Sequence, residues 1–144
     1  FRKQGDWLAK VEASITLPYE ERHRRRMKMT DDNGKPFVLD LPYAVQFSEG
    51  DALLFEDGTA ILVHAAEERV VDLSCDKPLD IILLAWHMGN RHTAVQALSD
   101  KRLRISYNHV LVDMAVGLGA TAEEILAPFE PESGAYASAH DHHH

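Results

Sequence analysis

Cysteine is nearly absent: Cys75 is the single one in 144 residues. One thiol cannot close a disulfide within the chain or build a Cys-rich zinc site, and a reducing cytosol is the expected compartment. Long apolar runs are lacking as well. The longest, residues 81–86, falls well short of the ~18–20 residues of a membrane span, and no signal peptide is visible, so no membrane partner is expected. Positive charge is scarce. Fifteen Lys and Arg face 23 Asp and Glu, a net charge of −8, which argues against a general nucleic-acid binder because such a protein needs a basic face to displace counterions. Enzyme signatures are missing too: there is no Gly-x-Ser-x-Gly elbow, no His-Glu-x-x-His and no P-loop. No enzymatic activity is expected, and any nucleotide-driven step would lie in a partner. The chain begins at Phe1 and not at methionine, so Phe1 is not taken as the native start.

A hydrophobic fraction of 45% is ample for a packed core. The first half reads as strands. Residues 11–17 alternate with period two until Pro18. The basic residues 22–30 end in Asp31-Asp32-Asn33-Gly34, where Asn-Gly predicts a type I′ hairpin turn, and residues 37–41 return as the partner strand. Residues 52–55, an Asp57-Gly58 turn and residues 59–65 complete a small all-β unit.

The pattern then changes. Residues 70–74 predict a strand, after which Asp76 offers a helix N-cap with Pro78 in the first turn. Leu79, Ile82, Leu83 and Trp86 recur at i, i+3, i+4 and i+7 as one apolar face. Gly89 is the expected left-handed residue at the helix end. Residues 93–98 and 102–107 predict two strands. Asn108 caps a second helix with the stripe Val110, Leu111, Met114, Ala115 and Leu118, closed by Gly119, and residues 124–127 form a last strand. The order β-α-β-β-α-β predicts a ferredoxin-like unit. The fold class is thus α+β: an all-β domain over residues 1–69, a ferredoxin-like domain over 70–134, and a flexible His-containing tail over 135–144.

Chemistry concentrates in the histidines. Trp86-His87-Met88-Gly89-Asn90-Arg91-His92 places two of them around a helix end. Neutral imidazole is the commonest side-chain ligand for nickel, copper and zinc. His92 follows the helix in an exposed loop, as a ligand or as plain polar surface. His87 reads better as packing than as a ligand. His109 opens the second helix, whose dipole disfavours the cation; the neutral ring suits a metal, although capping and packing explain it equally. The tail carries His140, His142, His143 and His144. Asp141 interrupts that run, which favours a native tail over the remnant of an affinity tag. His23 and His64 read as structural or surface residues, and Cys75 as a small buried or half-buried one. The basic run from Arg22 to Lys28 is a solvated strand edge that discourages aggregation, or a patch for an acidic protein partner.

Several segments, in order, are similar to one known family. They are Ser14-Ile15-Thr16-Leu17-Pro18-Tyr19-Glu20-Glu21-Arg22, Leu39-Asp40-Leu41-Pro42, Gly50-Asp51 and Glu56-Asp57-Gly58. His87-Met88-Gly89-Asn90-Arg91-His92, Asn108-His109-Val110-Leu111 and Gly117-Leu118-Gly119 follow. Ala127-Pro128-Phe129-Glu130-Pro131-Glu132 and Gly134-Ala135-Tyr136 end the series. Together they resemble the UreE family, the nickel metallochaperones of urease assembly. The resemblance implies a cytoplasmic homodimer with a β domain like the peptide-binding domain of chaperones and a ferredoxin-like domain that dimerises. It implies that two copies of His92 meet on the two-fold axis to hold Ni²⁺, with tail histidines as further ligands. By ligand chemistry alone, Cu²⁺ or Zn²⁺ is expected to substitute in vitro. The resemblance also implies partners: the urease-assembly GTPase, other urease accessory proteins and apo-urease. Two positions depart from the pattern. Tyr107 stands where some members carry a histidine, and Asn108 where an aspartate is usual. Two rivals remain. One is a peptide-binding or assembly module with incidental histidines. The other is a small hydrolase using His87 or His92 as base, which lacks any nearby nucleophile motif.

Overall fold

The computed structural model describes residues 10–55 and 57–132. The chain divides into two compact units, Phe1–Glu67 and Glu68–His144.

In the first unit, β1 (Lys10–Leu17), β4 (Ala52–Leu54) and β5 (Thr59–Ala65) form a sheet in the order β1-β5-β4, and β2 (His23–Thr30) pairs with β3 (Pro36–Gln46) as a two-stranded ribbon. β1 runs parallel to β5, which the chain permits because the ribbon intervenes between them. Ile15, Met29, Leu39, Phe47, Leu53, Ile61 and Val63 form the core. Arg22 is buried beneath the strand ends, where Nε donates to the Phe47 carbonyl (3.2 Å) and a guanidinium N–H donates to the Leu17 carbonyl (2.9 Å). The hairpin turn departs from the type I′ expectation. Only Gly34 takes positive φ, at +85°; Asn33 does not. The Asp31 carboxylate accepts the amides of Asn33 and Lys35, both at 2.9 Å. This side-chain acceptor holds a three-residue connection, so a single left-handed residue suffices.

In the second unit, β6 (Glu67–Ser74), α1 (Pro78–Asn90), β7 (Gln96–Ser99), β8 (Arg102–Ser106), α2 (His109–Gly117) and β9 (Thr121–Pro128) follow in turn. The sheet order is β7-β8-β6-β9. Val71, Leu73, Leu103 and Ile105 point from the sheet into a core with Ile81, Leu84, Met88, Leu111 and Ala115 of the helices. On the opposite face, buried Asp72 receives Arg102 (2.6 Å) and the Nε of Arg104 (2.7 Å), which pair its charge.

Three expectations for the helices need correction. The N-cap of α1 is Lys77, without a side-chain hydrogen bond; Asp76 does not cap it, and Pro78 at the first position needs no amide partner. The buried residues of α1 are Ile81, Leu84 and Met88, whereas Leu79, Ile82, Leu83 and Trp86 stand exposed. The helix is apolar almost all round, so periodicity alone could not select the face that packs on the sheet. In α2 only Leu111 and Ala115 of the expected stripe are buried, and Val110 and Leu118 are exposed.

Candidate metal centre

The end of α1 sets the geometry. The amide of Thr93 donates to the Met88 carbonyl and that of His92 to the Gly89 carbonyl, each at 3.0 Å. This is the paired hydrogen-bond pattern that commonly closes a helix around a left-handed residue. The left-handed residue is His92, with φ +56°, and not Gly89, which lies within the helix. Among the described residues His92 is the only non-glycine with positive φ. Its Cβ makes that conformation unfavourable. The second helix ends by the same pattern: Gly119 donates to Val116, Ala120 donates to Ala115, and Gly119 takes φ +99°. His92 thus holds a place that backbone physics would give to glycine, and its imidazole is exposed to solvent.

The other candidates lie apart in character. His109 is the first residue of α2, exposed, beside an N-cap whose Asn108 side chain accepts the amides of Val110 (3.0 Å) and Leu111 (3.2 Å). His87 is half-buried on α1, with its ring edge-on to Trp86 at 5.0 Å. His64 Nδ1 lies 2.8 Å from Glu49 Oε2. Burial, then the charges of Asp80 and Asp76, push the Cys75 thiol up from its ordinary range. That disfavours the thiolate, the form in which a cysteine ligates metal. At Tyr107 the Arg69 guanidinium sits 3.5 Å from the ring centroid and also bonds Glu124, so a cation already occupies that aromatic face. Among the described residues of one chain, no group of three or more His, Cys, Asp or Glu could hold a metal ion. His140, His142 and His144 lie outside the described residues.

Sequence reading overlooked how the chain leaves β9. Residues 128–132 run from β9, at one edge of the sheet, to β7 at the other. Arg104 donates to the Pro128 carbonyl (3.1 Å), the Gln96 side-chain oxygen accepts the Glu130 amide (2.9 Å), and the Glu132 amide donates to Val95 (2.8 Å). Glu132 Oε1 in turn accepts the Ala97 amide at 3.1 Å. Phe129 within this strap is 1% exposed. The only sequence signal was the Pro-Phe-Glu-Pro-Glu segment, whose prolines mark the end of a strand without saying where the segment then lies.

Both units match family models. Residues 2–66 match the N-terminal domain of the UreE urease accessory protein and residues 68–144 its C-terminal domain. A urease accessory protein UreE of Rhodopseudomonas palustris (strain HaA2) is 46% identical over 96% of this chain and 64% of its own length. One from a Bradyrhizobium species (strain BTAi1) is 44% identical over 97% of this chain and 70% of its own. One from a Chelativorans species is 47% identical over 90% and 82%. The chain spans about two thirds of the length of the first two. These relatives carry the name of an accessory protein, not of an enzyme, and no described helix is long and apolar enough to cross a membrane. With a family model matched across each of its two units, this chain belongs to the urease accessory protein UreE family.

Proposed function

We propose that this chain is a cytoplasmic nickel carrier for urease assembly, acting as a homodimer with one nickel site on its two-fold axis. The observation that carries the reading is His92: an exposed imidazole held at a helix end in a left-handed conformation that costs a residue with a Cβ energy. One imidazole is a poor site. A two-fold contact brings two copies together and doubles the ligand count. The exposed Leu79, Ile82, Leu83 and Trp86 on the helix that presents His92 supply apolar surface for such a contact. On this reading residues 70–134 form a ferredoxin-like dimerisation and metal-binding domain, consistent with the observed order β7-β8-β6-β9.

Nickel is cargo, so the work of the site is reversible coordination. Neutral imidazoles of the His92 pair bind it first. Histidines 140, 142 and 144 of the tail complete the shell with water, and His109 is a secondary ligand. Nickel tolerates an incomplete protein shell in octahedral N/O coordination, which keeps exchange to a partner open. The recipients are the urease-assembly GTPase, other accessory proteins and apo-urease; the relatives' name, urease accessory protein, supports this.

A second reading rests on the first unit. A cleft of about 300 Å³ there is walled by Phe37 and Phe55, edge-on at 6.1 Å, with Glu12, Lys35 and Asp57 among its lining. It favours peptide binding by residues 1–69 as a role beside, or instead of, metal carriage. Calorimetry on four proteins tests the primary reading: the parent, His92→Ala, a deletion of residues 138–144, and both together. His92→Ala should abolish the tightest nickel event while leaving the dimer intact. The deletion should loosen binding but keep one nickel per dimer, and the two changes should be non-additive because they share one metal. Nickel binding by His92→Ala equal to the parent would sink the interface site.

A further inference from the structure

The ribbon of the first unit carries a charge opposite to that of the chain. Along β2 and β3 four cations, Arg24, Arg25, Arg26 and Lys28, stand against a single acid, Asp40, a net +3 in a protein of net −8. Strand pairing fixes which way they look. Met29 and Leu39 point into the core. By alternation Arg26 and Lys28 lie on the outward face, with their cross-strand partners Asp40 and Val38. Arg25 is exposed where the pairing leaves regular register. The guanidinium groups are held in place. Nε of Arg24 donates to the Glu21 carbonyl (3.0 Å), Nε of Arg25 to the Pro42 carbonyl (3.3 Å) and Nε of Arg26 to Asp40 Oδ1 (3.1 Å). Each bond uses the inner nitrogen and leaves the terminal nitrogens of the fork for an acceptor outside.

Protection of a strand edge explains only part of this. Edge protection asks for charge alone, most often from lysine. Three of these four cations are arginines, whose planar fork binds carboxylates through paired hydrogen bonds. Beside them Val38 and Met27 are 63% and 40% exposed, apolar surface that a solvated edge does not need and a protein partner buries. We infer that the outward face of the β2–β3 ribbon docks an extended acidic segment of another protein. Arg25, Arg26 and Lys28 take its carboxylates, and its chain covers Val38. Arg26 and Lys28 stand two residues apart, about 7 Å along the strand, which is also the spacing of alternate side chains in an extended partner. Nucleic acid fits less well. The acidic remainder of the chain repels a polyanion, and the ribbon's aromatics, Phe37 and Tyr43, are half-buried and offer bases no stacking platform. The inference is independent of the nickel reading.

The test is fluorescence anisotropy of a labelled peptide of alternating glutamate and serine, titrated with the full chain at low ionic strength. The peptide should bind, and its counterpart with glutamine for glutamate should not. Arg25→Gln with Arg26→Gln and Lys28→Gln should weaken binding about tenfold or more. Arg25→Lys with Arg26→Lys keeps the charge without the fork and should weaken it about two- to fivefold. If circular dichroism shows the glutamine variant unfolded, Val38→Glu decides. That change alters an exposed side chain, sets a carboxylate opposite Lys28, and should weaken binding about three- to tenfold. Absence of peptide binding would overturn the proposal, as would parent affinity in Val38→Glu or in a folded glutamine variant. Parent affinity in the lysine pair would reduce the contact to unspecific charge attraction and overturn it too. Tighter binding of single-stranded DNA of equal charge than of the peptide would assign the face to nucleic acid instead.

Discussion

His92 and Gly119 occupy the same place at the ends of the two helices, each the left-handed residue of an identical hydrogen-bond pattern. Only the glycine fits there without strain. The pair is an internal control: one terminus follows backbone preference and the other carries an imidazole where that preference favours glycine.

Replacing His92 by glycine should therefore leave metal-free stability unchanged or raise it by up to ~1 kcal/mol, since relief of the left-handed Cβ outweighs or matches the added chain entropy. His92→Ala keeps the Cβ and should gain nothing. Both should lose the tight nickel event. Denaturant unfolding of metal-free protein decides; a loss above about 1 kcal/mol for His92→Gly would mean the imidazole makes a stabilising contact.

The two faces of α1 should respond oppositely. Leu84→Ala empties a packed position and should cost about 2–5 kcal/mol. Trp86→Glu alters a side chain that is 61% exposed, so the fold should survive while sedimentation reports monomer. A Trp86→Glu protein that stays dimeric would move the contact off this helix.

Metal binding should follow imidazole chemistry. Ligand imidazoles must be neutral and the unperturbed group titrates near pH 6.5, so nickel affinity should fall steeply from about pH 8 to 6. Copper should displace nickel in direct competition. Blocking the Cys75 thiol should change neither. A flat pH profile would remove histidine coordination from consideration.

Asp32 gives the first unit an acid limit. Burial works to raise its pKa, yet hydrogen bonds from the Ser14 and Thr16 hydroxyls and the Thr16 amide outweigh it and hold the carboxyl below its ordinary 3.8. A depressed folded-state pKa contributes stability that is present above 3.8 and lost as pH falls through the folded value. Unfolding midpoints should decline below about pH 4, and Asp32→Asn should flatten that decline. An unchanged slope would assign the acid sensitivity to other carboxylates.

Much of this was legible beforehand because it rests on local signals. Gly34, Gly58 and Gly119 take the positive φ that turn and helix-end patterns demand, and the order of strands and helices follows from hydrophobic period. The buried side of α1 was not legible: Ile81 and Leu84 compete with Ile82 and Leu83 on equal terms, and only the sheet chooses. Gly89 and His92 lie three residues apart, and preference for glycine pointed to the wrong one. The strap joins residues 34 to 37 apart in sequence through single hydrogen bonds, Glu130 to Gln96, Ala97 to Glu132 and Glu132 to Val95, and no periodicity encodes such a link.

The strap over residues 128–132 has one more consequence, for solubility. β7 is an edge strand, and the Val95 carbonyl and Ala97 amide are outward-facing backbone groups that could template pairing with another chain. Glu132 occupies both, with its amide on the first and its carboxylate on the second. A chain cut before Glu132 would bare that edge, and its fate would be turbidity and edge-to-edge association rather than simple loss of a metal ligand.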